Sequence, residues 1–563
     1  MKLSGDARDI YKKIKSMISS KILLNESKKL FQELKPVSNV NEIRRRQNYL
    51  KKEFGKVDVN LKNEILKVKP FKIKRSYFYD RVFIATEDEF DEASSLSLCP
   101  VELEPVDAPI ILSKSADVGI EVEEISDVEI APEIYVESLI EQRESLEAVA
   151  KIIESCRGDS VASELLEYVK DFQDLHEKKK ILDSLIEIIA REEVELNRRI
   201  ERKLRRKSIK LEGEALIEFL KSGSISLSEI ENLILEEIVE SEKRLSDQLG
   251  TGFIEVFPRT SAFPVKANPE AVERVKREVE AEIMVQYFLK ARKVARRIKE
   301  LLPHLEKEIE EVFRIELVRG IKEFCEGFVF PEIAEGRISF VEGRNLFIEN
   351  PQPISYYIGR THLGDHPVVV LTGANSGGKT SLLELVAQIQ IMAQMGLPVN
   401  AKMCEIDVVN ELFFFRKKRI IYGAGAFEDA LKKLSGVLIG DGKKLILVDE
   451  FEAITEPGAA VRIISKILEI AYKRRYYFVL VTHLGQYLNL EFCRIDGIEA
   501  KGLDENLNLI VDRQPKFGII GKSTPELIVE RLYRKSKGEA KSVLGEIFSS
   551  LSKDVKRVEL RKR

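Results

Sequence analysis

Tryptophan is absent from the sequence and cysteine is scarce: Cys99, Cys156, Cys325, Cys404 and Cys493 lie far apart, with no Cys-x-x-Cys pair among them. That spacing argues against a zinc site and against a disulfide framework, so the cysteines read as reduced core or surface thiols. Long apolar runs are missing too. No stretch approaches the eighteen residues that a membrane helix needs, and the start, Met1 to Ser16, is a charged helical pattern without the apolar centre of a secretion signal. A cytoplasmic protein without a membrane partner is expected. Nor is one sign of charge in excess: 91 Lys and Arg face 94 Asp and Glu, a formal net charge of -3. No global positive field announces a nucleic-acid partner, and any such surface must be local.

What is present is charge in quantity. Charged residues make up 33% and hydrophobic ones 44% of 563 residues, a balance that suits long solvated helices beside globular cores. Thermophile proteins share this bias, but so do helical rods, and the source stays open. The chain is too long for one core, so three or four structural units are expected.

Residues 1–69 show helical spacing twice, broken at Lys35-Pro36-Val37-Ser38-Asn39, where Pro and the Ser/Asn pair mark a turn and a new N-cap before Glu42 to Arg46. Residues 70–133 switch to short apolar runs such as Arg81 to Ala85, broken by acidic and Ser clusters, and read as a β-rich or irregular connector. Residues 134–336 carry heptad-like patterns, as in Ser184 to Arg191, and predict long antiparallel helical arms. Within them Arg198, Arg199, Arg202, Lys203, Arg205, Arg206 and Lys207 put seven cations in ten residues. Such a block can neutralise phosphates; composition equally allows a solvated helix face balanced by neighbouring acidic helices. Leu249 to Pro269 reads as an arm tip or a return connection. Residues 337–512 alternate apolar runs, Gly-rich turns and helices, the texture of a parallel sheet with covering helices, and residues 513–563 are a charged helical tail with a helix start at Thr524-Pro525.

The chemistry is concentrated in the fourth of these segments. The apolar run Val368 to Thr372 is followed by Gly373-Ala374-Asn375-Ser376-Gly377-Gly378-Lys379-Thr380, a G-x-x-x-x-G-K-T loop between a strand and a helix. Glycines let backbone amides close around phosphate oxygens, Lys379 reaches the β and γ phosphates, and the Thr380 hydroxyl can ligate magnesium. About seventy residues on, Leu445 to Glu450 is an apolar strand ending in two carboxylates. Asp449 would hold magnesium (Mg2+) through water and Glu450 would polarise the attacking water. A third strand, Tyr477 to Val481, ends in Thr482-His483, whose imidazole can contact the γ phosphate or that water. ATP and Mg2+ are the expected cofactors.

These residues resemble the MutS family. The loop through Ser381 has that family's G-x-N-x-G-G-K-[ST]-[ST] form, with Asn375 the diagnostic residue, and the following helix continues into Ile391 to Ala401, which looks like the family's M-A-Q-I-G-x-x-V-P-A segment. Weaker similarity extends to Lys35-Pro36-Val37 with Ile43 to Gln47, and to Phe517-Gly518-Ile519 with Pro525 to Arg531. The resemblance implies a fold of α plus α/β type: a helical core with long lever and clamp helices, then a P-loop ATPase domain of the ABC type with a mostly parallel sheet. It implies a homodimer, residues 513–563 serving dimerisation, in which each ATP is capped by the other subunit's signature segment. That segment is Gly423 to Glu428 here, with Gly425, Ala426 and Phe427 at the nucleotide. Two departures stand out. Gly425-Ala426 replaces the family's Ser-Thr, removing a hydroxyl contact, and Phe451 to Thr455 replaces its Gly-x-Gly-Thr stretch. Slow hydrolysis is therefore expected.

The family's mismatch readers wedge a Phe from a Phe-x-Glu motif into the base stack. Phe31-Gln32-Glu33 has those letters but lies in a helical pattern, so a wedge is not expected. The resemblance is read as core, lever, clamp and ATPase, without the mismatch-recognition domain or the C-terminal Smr nuclease domain. The expected function is an ATP-switched clamp on branched or otherwise structured DNA in recombination or repair. The alternative is a related ATPase acting on ribosomes or RNA. A nuclease or ribosome partner is left open.

Overall fold

The computed structural model describes residues 1–206, 217, 220–221, 228–249, 252, 254–259, 262–373, 378–416, 424–450, 457–488, 490–503, 509–521 and 525–560. Their contacts separate two compact units, residues 1–62 with 313–563, and residues 63–312. These bounds differ from the sequence-based boundaries at 69 and 336.

The first unit is built on a six-stranded sheet. From edge to edge it runs Lys2–Leu3, Glu411–Phe415, Lys444–Asp449, Tyr477–Val481, Val368–Gly373 and Arg494–Ile498, and every neighbouring pair is parallel. Each residue of the Val368, Lys444 and Tyr477 strands is buried, which is why they read as unbroken apolar runs: a parallel strand is covered on both faces. Helix Lys379–Met395 is buried at every residue from Leu385 onward and is therefore apolar nearly all round. Its three buried glutamines all donate hydrogen bonds from their side-chain amides. Gln390 donates to Asp407 O (2.9 Å), Gln394 to Val37 O (2.7 Å) and Val409 O (2.9 Å), and Gln388 to Asn345 (2.8 Å). Helix Pro457–Lys473 covers the sheet with Ala460, Ile464, Leu468 and Ala471, one helical face. A second, five-stranded sheet runs Glu332–Ile333, Met403–Ile406, Arg337–Gly343, Ile354–Thr361 and Gly364–His366 and is mostly antiparallel.

The edge strand Lys2–Leu3 was not foreseen from sequence, because two residues carry no periodicity. Helices Gly5–Ser19, Asn25–Glu33 and Val40–Phe54 follow it in the same unit, the last capped by Asn39, whose side chain accepts from Glu42 N (3.1 Å). Phe31 is fully buried under Lys15, so it is not presented to a base stack.

The second unit holds a parallel four-stranded sheet, ordered Val101–Glu102, Arg81–Ile84, Ile110–Ser113, Ile120–Glu121, where the sequence suggested strands or irregular chain. Arg81 is buried within it and forms a two-pronged pair with Glu133 (2.6 and 2.8 Å). Helices Leu185–Arg206 and Ser228–Leu249 are paired. Leu185, Ile189, Leu196 and Ile200 on one and Ile234, Ile238 and Leu245 on the other form a seam with heptad-like spacing. The return segment closes that seam with Ile254, Val256, Phe257 and Val265, and Asn197 fixes it by exchanging two 2.8 Å hydrogen bonds with the Val265 backbone. Helix Pro269–Phe324 contributes Val275, Val279 and Ile283 to the same core.

Candidate functional site

Strand register sets the site. Leu371 pairs with Val481 and Val481 with Asp449, so three parallel strands end at one level of the sheet. Thr482 N then donates to Leu371 O (3.1 Å) and Glu450 N to Val481 O (3.0 Å), carrying the same alignment one residue beyond. The carboxyl end of a parallel sheet is where α/β folds gather their reactive side chains.

Gly373 closes its strand at φ 120°, and a Cβ there would lie 2.0 Å from Ile498 O, so no other residue fits. Residues 374–377, with the predicted Ala374, Asn375, Ser376 and Gly377, lie outside the described residues. Gly378, at φ 83°, opens helix Lys379–Met395. The first turn of a helix presents unpaired backbone N–H groups and the positive end of the helix dipole, a natural anion cradle. Lys379 is buried and folds back, its Nζ donating to Gly373 O (2.6 Å). Thr380 Oγ1 donates to Asp449 Oδ2 (2.7 Å), and Ser381 O accepts from Asn345 Nδ2 (2.8 Å).

Asp449 is 6% exposed. A hydroxyl beside a buried carboxylate is a hard-oxygen pair, which fits Mg2+, a cation commonly held by one or two protein oxygens with water and phosphate completing its shell. Glu450 sits at φ 51°, a left-handed conformation costing on the order of 1–2 kcal/mol in a residue with a Cβ. Strain of this kind persists where surrounding structure holds it, often at functional sites. His483 Nε2 lies 3.3 Å from Glu450 Oε1. The geometry thus brings together Lys379, Thr380, Asp449, Glu450 and His483. A carboxylate and an imidazole in contact can hold one water and move its proton.

Gly425, Ala426 and Phe427 fall in the first turn of helix Ala424–Val437, and Gly423 lies outside the described residues. Ser435-Gly436 falls at the opposite end of that helix. Lys444 fixes this opposite end. It is 2% exposed, donates to Val437 O (2.9 Å) and Ile439 O (2.5 Å), pairs with Glu411 (3.2 Å), and is the first residue of the strand that ends in Asp449. The N-terminal segment also reaches the site's framework. Ser4 Oγ accepts from Phe414 N (2.9 Å), Asp6 Oδ2 accepts from Arg416 N (3.2 Å), and Arg416 pairs with Glu384 on the loop helix (2.6 Å). Neither link was visible in sequence, apart from a lysine opening an otherwise apolar strand.

In the other unit, the basic block lies on helix Leu185–Arg206, with Lys207 outside the described residues. Arg199 turns inward to Glu192 (2.6 Å), Glu237 (3.2 Å) and Ser241 (2.5 Å), and Lys203 pairs with Glu237. Arg198 and Arg202 pair with Glu195, and Arg205 with Glu201, all on their own helix and largely exposed. Arg206 is exposed.

The MutS domain V family profile matches residues 369–506. Over 575 aligned positions the chain is 47% identical to "DNA-binding protein MutS2" of Pyrococcus furiosus, covering 98% of this chain and 100% of that one. It is 27% identical over 229 residues to "Endonuclease MutS2" of Streptococcus sanguinis, and 28% identical over 208 residues to the protein of that name in Clostridium botulinum. Those two matches cover 28% and 25% of the bacterial proteins and 39% and 35% of this chain.

Proposed function

The chain belongs to the MutS family, and from that premise we propose that it is a DNA-binding ATPase in which bound ATP sets the state of a clamp. The observation that carries this reading is the contact of Thr380 with Asp449 beside that of His483 with Glu450, all at the carboxyl end of the parallel sheet. In this reading the loop Gly373 to Ser381 cradles the triphosphate, with Lys379 leaving Gly373 O for a phosphate oxygen. Thr380 and Asp449 hold Mg2+, which neutralises charge on the phosphates when bound. Glu450 accepts a proton from the attacking water, and His483 keeps that carboxylate and the water aligned.

A second copy supplies its Gly425-Ala426-Phe427 turn to close each nucleotide site, through backbone amides where relatives use hydroxyls, and hydrolysis is slow as a result. The paired helices of residues 134–336 form the lever and clamp. The name of the Pyrococcus furiosus relative, a DNA-binding protein, supports DNA as the partner. Contacts made largely to phosphate favour DNA shape over sequence, so branched structures are the preferred target.

The test is a gel-shift titration against a four-way junction, a mismatched duplex and a plain duplex of equal length, with and without ATP. Selective junction binding that ATP modulates is expected. Equal weak binding to all three overturns the DNA reading in favour of a ribosomal target.

A further inference from the structure

Between the short helix Lys62–Ile65 and the strand Arg81–Ile84 the chain crosses the second unit without regular structure, yet its backbone is held. Ser138 on helix Glu133–Glu141, Ser145 on helix Arg143–Cys156 and Gln142 at the junction between them act as its rail. Lys74 N donates to Ser138 (3.0 Å), Lys72 N donates to Gln142 and Lys72 O accepts from it (3.2 and 2.8 Å), and Lys69 N donates to Ser145 (2.9 Å). Fixing the backbone this way turns the side chains of Lys67, Lys69, Lys72, Lys74 and Arg75 toward solvent, where all five are exposed. Lys67 and Lys74 rest on exposed Glu144 and Glu141. Such surface pairs are weak, at most about 1 kcal/mol, and exchange readily for phosphate. Lys69, Lys72 and Arg75 hold no carboxylate among the described residues.

The same segment ends in aromatics. Phe78 turns inward, under the Arg81 guanidinium at 4.2 Å, so the alternation of an extended chain turns Tyr77 and Tyr79 outward. The two residues are 44% and 84% exposed, with ring centroids 4.9 Å apart. Both line a cavity of about 320 Å³ whose wall includes Phe78, Arg81, Glu280 and Tyr287.

We infer that residues 67–79 form a docking track for an unpaired nucleic-acid strand, with bases stacking on Tyr77 and Tyr79 and phosphates meeting Lys69, Lys72 and Arg75. Cations that follow a backbone, next to rings that accept any base, are what sequence-tolerant single-strand recognition requires. The charge fits a polyanion, and the rings fit bases that a duplex would keep stacked inside. The residues of this track are distinct from those of the nucleotide loop and of the basic block, and its test needs no ATP.

Full-length protein is titrated by fluorescence anisotropy against labelled oligo-dT, oligo-U and a duplex of equal length, the first two separating DNA from RNA as the natural strand. Tyr77→Ala with Tyr79→Ala is expected to weaken binding of the favoured single strand by at least about tenfold, while duplex binding changes by less than about twofold. Tyr77→Phe with Tyr79→Phe keeps the rings and should stay within about twofold of the unaltered protein. Lys69→Gln with Lys72→Gln and Arg75→Gln should lower the salt dependence by a slope of about 2, three contacts at roughly 0.7 each. Absence of single-strand binding by the unaltered protein overturns the proposal, as does an alanine variant that binds it normally or loses single strand and duplex alike.

Discussion

Thr380 and Asp449 meet at 2.7 Å although their strands are not neighbours: the strand Tyr477–Val481 lies between Val368–Gly373 and Lys444–Asp449. The loop helix therefore crosses the end of the middle strand, spanning two strand spacings of about 4.8 Å each. His483, which follows that middle strand, is left beside Glu450, which follows Asp449. One crossing thus sorts the two carboxylates, Asp449 to the Thr380 hydroxyl and Glu450 to the imidazole.

That division predicts different losses. Glu450→Gln keeps a side chain of the same size but cannot accept a proton, so ATP binding should stay near the unaltered level while turnover falls by about 10²–10⁴. Equilibrium binding of a fluorescent ATP analogue and phosphate release, measured on one preparation, check this. Turnover at the unaltered rate would remove Glu450 from the water-activating role.

Gly373 and Gly436 make a matched pair for the backbone argument. At Gly373, φ 120° and the 2.0 Å approach of a Cβ to Ile498 O leave no room, so Gly373→Ala should cost at least about 2 kcal/mol and abolish nucleotide binding. Gly436 lies in helix Ala424–Val437 with nothing within 4 Å of its Cβ position. There Gly436→Ala should stabilise by about 0.4–1 kcal/mol. Urea unfolding of both variants shows whether space, rather than glycine itself, is what matters at 373.

How far the sequence revealed this arrangement depends on the length and period of each signal. The strands ending at Gly373, Asp449 and Val481 were visible because burial on both faces makes unbroken apolar runs, and the loop because phosphate chemistry constrains glycine, lysine and threonine together. Lys2–Leu3 was not visible, since a two-residue edge strand depends on its partner Glu411–Phe415. Lys444 looked like the charged start of a strand, and only the folded chain takes its Nζ to the end of helix Ala424–Val437. In residues 67–79 the interleaved lysines and aromatics were there to be read, but a segment without periodicity gives no hint that a helix rail fixes its backbone.

The network around Glu323 predicts a pH effect. Burial pushes its carboxyl upward, but hydrogen bonds from Lys62 (2.9 Å), Arg319 (2.6 Å) and Lys21 (3.3 Å) outweigh that and hold its pKa down to about 2, from an ordinary 4.5. A folded-state pKa below the unfolded one gives stability that is fully present above the unfolded value and lost as pH falls through the folded value. Stability of the unaltered protein should therefore drop between pH 4.5 and about 2, and Glu323→Gln should flatten that portion of the curve. Thermal unfolding of both proteins at matched ionic strength across this window is the check. Parallel curves would mean that another carboxylate governs acid unfolding.

The basic block separates in the same way, by where its side chains go. Arg199, 21% exposed, is engaged by Glu192, Glu237 and Ser241, and Glu237 is 5% exposed. Arg199→Gln breaks a partly buried network and should destabilise the helix pair by about 1–3 kcal/mol. Arg202, Arg205 and Arg206 stand outside, and the surface pairs of Arg202 and Arg205 contribute at most about 1 kcal/mol each, so replacing all three with Gln should leave the melting temperature nearly unchanged. If this face meets DNA, that triple variant should weaken binding and lower the salt slope by about 2.7, roughly 0.9 per lost phosphate contact. Unchanged DNA binding would make the block a solvated helix face, the other reading its composition allows. Lost binding in Arg199→Gln without lost stability would instead place Arg199 at the DNA rather than within the helix pair.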